Sequence, residues 1–142
     1  MRLSRIAITL ATSTLLAAAA PAQIDWKARI ASSNGTDKIK NALYFADLQT
    51  KAADQAYKDG KDQQGLADLQ DVNEYTKVAA DTSQQLGKHE KSTEIEIRKI
   101  AKRLLDIKQS VDFEEQDGVQ RVLDSVQTTH DQLLDFMFKK KH

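Results

Sequence analysis

Three groups of residues have the types and spacing that chemistry would need. They are His130 with Met137, the acidic run D-F-E-E-Q-D-G at 112–118, and the cations Arg98, Lys99, Lys102 and Arg103. A histidine and a methionine can hold a haem iron between them. Met137, however, is the only methionine besides Met1, and it lies seven residues along the same predicted helix, so the two side chains cannot reach one iron from opposite faces. A calcium loop of EF-hand type starting at Asp112 would need glycine at its sixth position and a carboxylate at its twelfth, where this chain has Asp117 and Leu123. The acidic run instead suits the first turn of a helix, whose amide end favours negative charge. Di-metal bundles need paired Glu-x-x-His motifs, and none occurs. There is no cysteine, no G-x-S-x-G, and the five glycines are scattered, which removes the usual nucleophile and phosphate-loop signatures. The expectation is therefore a non-enzyme without catalytic, metal-binding or cofactor-binding residues.

The four cations remain. A solvated helix face is their ordinary role, with Glu94 and Arg98 spaced for an i,i+4 pair. If the protein has a partner-binding surface, Arg98, Lys99, Lys102 and Arg103 are its candidates. Of the other histidines, His89 falls in a polar break and His142 ends the chain. His130 is expected at the edge of the core.

These residues must be positioned by elements that the apolar pattern predicts. The chain opens with two arginines, Arg2 and Arg5, followed by the apolar run 6–20 and Ala20-Pro21-Ala22. That order reads as a secretory signal peptide, 1–22, cut after Ala22, because proline directly after the scissile bond would block a cut after Ala20. Its absence of adjacent arginines points to Sec-type export, and the product is expected in the periplasm or secreted. Losing Arg2 and Arg5 from 21 basic and 21 acidic side chains leaves 19 against 21, a net charge of −2. Nucleic acid is not a partner that such a balance suits. One domain, 23–142, is long enough to bury a core without disulfides.

Within that domain, Trp26 and Ile30 share one face of a short helix expected to dock on the rest. Residues 37–59 carry the stripe Ile39, Leu43, Ala46, Thr50, Ala53 and Tyr57, with Thr36 or Asp37 as cap. Residues 63–86 carry Leu69, Val72, Thr76, Ala79, Ser83 and Leu86. Gly60 lies between them. Gly87 is expected to end the second helix, and Thr93 with Glu96 to form a capping box for the next. Ile97, Ile100, Leu104, Ile107 and Val111 form the most regular stripe of the chain, widened by Ala101 and Leu105, with Glu94 on the polar side. A last helix at 116–138 shows Val119, Leu123, Val126, His130, Leu133 and Met137. The prediction is an all-α, up-down antiparallel bundle of three to four helices, made of hairpins at about 37–86 and 93–138.

The join at 56–69, A-Y-K-D-G-K-D-Q-Q-G-L-A-D-L, resembles the hairpin of a tetratricopeptide repeat, in which an aromatic, a turn glycine and a small residue let two helices cross closely. No copy recurs at the ~34-residue period of such arrays, so the likeness implies one close hairpin and no more. Functionally, the expectation is a non-catalytic interaction or structural module of the cell envelope, with a protein partner or a homo-oligomer. A periplasmic chaperone or stress adaptor is one alternative. A small-ligand binder using His130, Tyr57 or Tyr75 beside Ala46, Ala53 and Ala79 is another. At most a weak membrane contact is expected, through Phe136, Phe138 and the lysines 139–141.

Overall fold

Apolar residues recurring at three- and four-residue steps fold into helices and nothing else among the described residues, which in this computed structural model are 24–141. The expected leader and its cut after Ala22 lie outside them. Five helices follow in order: α1 (Trp26–Ser32), α2 (Gly35–Lys58), α3 (Asp62–Leu86), α4 (Glu90–Ser110) and α5 (Phe113–Lys140). The all-α class is as expected, but the number of helices is five rather than three to four, because the short α1 adds to four long ones. The hairpins also run longer at their ends, 35–86 and 90–140.

α2 and α3 form a tight antiparallel pair. Ala42, Ala46, Ala53 and Ala79 are fully buried between them, with Thr50 and Thr76 equally buried. The two hydroxyls donate to carbonyl oxygens one turn back, at 2.8 Å to Ala46 and 2.9 Å to Val72, so a polar side chain enters the core without an unpaired group. At the closed end of this hairpin Gly65 lies against the Tyr57 ring, where an added Cβ would stand 2.8 to 3.0 Å from three ring carbons. The helix-helix approach there requires glycine, as the hairpin likeness implied.

α4 and α5 pair through larger side chains: Ile97, Ile100, Leu104 and Ile107 against Val119, Leu123, Val126 and Leu133, all buried. The hairpins join with α3 on α5 and α2 on α4, while the backbones of α2 and α5 make no close approach. α1 lies on α2 and closes the core with Ile30. Trp26 packs on Tyr44 and Phe45 at 5.0 and 6.5 Å between ring centres, and Phe45 meets Tyr75 edge-on. The docking expected of this segment is thus observed.

The connections bring two corrections. Gly87 does end α3, in the left-handed region at φ 62°, but α4 starts three residues earlier than expected, with His89 also left-handed at φ 64°. Thr93 is accordingly inside the helix and completely buried, not a cap. Similarly, α2 is preceded by Asn34 rather than capped by Thr36 or Asp37. Thr36 Oγ1 instead bonds His89 Nε2 at 3.1 Å, tying the start of α2 to the α3–α4 turn.

Candidate functional site

Of the residues singled out in the sequence, His130, Glu94, Arg98 and Lys102 come together along the α4–α5 seam. His130 projects from α5 toward α4, where its Nε2 lies 2.8 Å from Glu94 Oε1. Glu94 is only 3 % exposed, which corrects its expected place on the polar surface. The Glu94–Arg98 spacing still gives an ion pair, at 3.5 Å, and Lys91 approaches the other oxygen at 3.7 Å. Burial alone would push the Glu94 carboxyl up; the His130 hydrogen bond and the charges of Arg98 and Lys91 outweigh it and hold the group below its ordinary value. The second oxygen, Oε2, is buried and accepts no hydrogen bond, as is the neighbouring Thr93 hydroxyl.

Below this pair the seam opens into a surface groove of about 460 Å³, lined by Arg98, Ala101, Lys102 and Leu105 from α4 and by Gln127, His130 and Asp131 from α5. Leu105, expected to widen the buried stripe, is 41 % exposed in this groove. The groove is apolar along its floor and cationic on its α4 side. It contains a general acid–base group in His130 but no hydroxyl or thiol to act as nucleophile. Its side chains suit the non-covalent holding of a carboxylate beside an apolar group.

The four expected surface cations do not act together. Arg98 is engaged by Glu94, Lys99 by Glu96 at 2.8 Å, and Arg103 turns to Asp47 on α2. Lys102 has no ion-pair partner among the described residues and points to the groove with Arg98. Arg103 belongs to a different recess of about 490 Å³ between α2 and α4, with Thr50, Asp54, Lys58 and Asp106. The one surface read from the sequence is therefore divided among two grooves and a solvated edge.

The other residues singled out lie apart. Tyr57 is at the α2–α3 turn, with its hydroxyl buried and without a hydrogen-bond partner; burial pushes the phenol up to about 12. Tyr75 faces Phe45, and Ala46, Ala53 and Ala79 belong to the packed core. His130 does not approach this set. The acidic residues of 112–118 fall mostly in the first turns of α5, as the dipole reading expected.

One buried acid escaped notice in the sequence. Asp68, 7 % exposed on α3, accepts from Gln64 at 2.8 Å and from Gln49 of α2 at 3.4 Å. Gln49 also donates to Asp71, which pairs with Lys27 of α1 at 2.9 Å. Burial raises the Asp68 carboxyl in spite of the two amides. This network fastens α1, α2 and α3, so it reads as structural. A signal for it was present: Asp68 stands beside Leu69 on the face that α3 buries.

No helix among the described residues is long and apolar enough to cross a membrane, and no three potential metal-ligating side chains cluster there. Comparison with family models, with curated proteins and with solved structures finds no match, so the site is read from its own geometry.

Proposed function

We propose that the chain is a non-catalytic interaction or structural module of the cell envelope, exported by its leader, and that it receives an acidic, partly apolar segment of a protein partner along the α4–α5 groove. The observation that carries this reading is exposed Leu105 beside Lys102, which has no ion-pair partner among the described residues, and Arg98, which Glu94 holds at the groove. Such an arrangement offers apolar contact and two cationic donors to one ligand segment. His130 is fixed by buried Glu94, so the α5 side of the groove is preorganised and loses little freedom on binding. The lack of a nucleophile among the groove residues supports holding over turnover. A net charge of −2 after loss of the leader supports a protein rather than a nucleic-acid partner.

The test is crosslinking in cells from a photoreactive residue at position 105, with the adducts identified by mass spectrometry. An adduct mapping to an acidic segment, and lost in Arg98→Gln/Lys102→Gln, is the expected result. Adducts indifferent to those substitutions, or none from folded protein, would overturn the reading.

A further inference from the structure

The two ends of the bundle carry opposite charge. At one end meet the start of α2, the α3–α4 turn and the end of α5. Thr36 bonds His89 there, and Lys140 Nζ reaches Gly87 O at 2.6 Å and Glu90 Oε1 at 2.8 Å. Lys38, Lys88, Lys91, Lys139, Lys140 and Lys141 stand here against Asp37 and Glu90, a net charge of +4. At the other end meet the α2–α3 turn and the start of α5, where Tyr57, Asp62, Val111 and Asp112 border one small recess. Asp59, Asp62, Asp112, Glu114, Glu115 and Asp117 stand there against Lys58, Lys61 and Lys108, a net charge of −3.

Helix dipoles explain part of this, since α5 begins acidic and ends in lysines. They do not explain Lys91 in the first turn of α4, or Asp59 at the carbonyl end of α2, which oppose the dipole. Among the described residues, Lys88, Lys139 and Lys141 at one end and Glu114, Glu115 and Asp117 at the other have no ion-pair partner within the chain. Each end also exposes a large apolar side chain that its own bundle does not cover. Phe113 is 86 % exposed at the acidic end, and Phe138 and Leu86 are 60 % and 41 % exposed at the basic one.

We propose that the protein associates end to end with further copies of itself, the lysine-rich end of one copy meeting the acidic end of the next. This stands independently of the α4–α5 groove, which lies on the side of the bundle. The contact is heterologous, so it propagates as a linear chain unless the rotation between copies closes a ring. Four helices each ~10 Å across give an end face of ~400 Å². Two such faces bury ~800 Å², which belongs to weak and transient contacts. The charges supply steering and register, and the exposed phenylalanines supply apolar contact.

The experiment is sedimentation velocity of the purified protein over a concentration series at about 10 mM and about 150 mM salt, where the screening length falls from ~30 to ~8 Å. Association that grows with concentration and weakens with salt is expected. Lys88→Glu/Lys139→Glu/Lys141→Glu gives two acidic ends, and Glu114→Lys/Glu115→Lys/Asp117→Lys gives two basic ends. Each variant alone should stay monomeric, and an equimolar mixture should associate again. Circular dichroism checks that both are folded; if the lysine variant is not, Glu114→Gln/Glu115→Gln/Asp117→Asn replaces it, with weakened self-association expected. A wild-type protein that stays monomeric at low salt, or variants that associate as the wild type does, would overturn the proposal. So would a mixture of the two folded, oppositely charged variants that stays monomeric.

Discussion

Removing His130 should cost more than removing the charge of Glu94, although both changes disturb the same pair. His130→Ala leaves a carboxylate that is 3 % exposed, with only Arg98 and Lys91 at 3.5 and 3.7 Å, and both of those side chains are mostly in solvent. Breaking a fully buried pair costs about 3–5 kcal/mol, and here the His130 side chain keeps 17 % of its surface in solvent. With two screened cations remaining, the lower bound applies, about 3 kcal/mol, or a fall in Tm of about 10 °C for a domain of this size. Glu94→Gln leaves an amide that still bonds the imidazole, and a cost of about 1–1.5 kcal/mol is expected. Leucine at both positions removes both polar groups and should return to within about 1 kcal/mol of wild type. Urea unfolding followed by circular dichroism measures all four proteins.

Acid adds a second, independent reading. The folded Glu94 carboxyl lies below its ordinary value. Its contribution is therefore complete above the unfolded value of about 4.3 and is lost as pH falls through the lower folded value. In His130→Ala burial prevails and the same carboxyl rises, so the variant's deficit should shrink on acidification. Equal costs for His130→Ala and Glu94→Gln, or a deficit that does not change in acid, would refute the assignment of Glu94 as a buried charge that His130 sustains.

Three further outcomes are expected. Gly65→Ala gains about 1 kcal/mol of helix propensity but forces a methyl into the Tyr57 ring, at about 1–3 kcal/mol, for a net loss near 1 kcal/mol; in a Tyr57→Leu background the same change should stabilise, as thermal melts would show. Gly87→Ala should cost about 1–2 kcal/mol in the same assay, since its left-handed φ of 62° penalises a Cβ. Tyr57 should resist titration until about pH 12 and burial also raises the Tyr75 phenol, so ultraviolet absorbance should show two delayed tyrosines. Because the unfolded phenol ionises near pH 10, stability should fall as pH rises from there toward the folded value.

Much of the bundle was legible because helices announce themselves locally. The stripe Ile97, Ile100, Leu104 and Ile107 is buried as its spacing predicts, and Gly87 ends α3 because left-handed backbone suits a residue without Cβ. Trp26 and Ile30 likewise suffice to place α1 on the core. These readings need only the helical repeat and the chemistry of one turn. The candidate groove was less legible. His130 on an apolar stripe was visible, but its partner Glu94 reads as surface until α5 is laid across α4. Arg98, Lys99, Lys102 and Arg103 look like one patch along the sequence, yet successive residues of a helix point 100° apart. Their partners then divide them, Asp47 of α2 taking Arg103 and Glu94 of their own helix taking Arg98.

The sequence by itself thus determined the helices, their buried stripes and the acidic and basic segments of the chain. Only the tertiary structure decided which charged groups are buried together and that those segments gather at opposite ends of one bundle. The physical reason is range. Helical periodicity is set by contacts within a few residues, whereas burial and electrostatic neighbourhood depend on which helix is packed beside which, and that is chosen by the whole core at once.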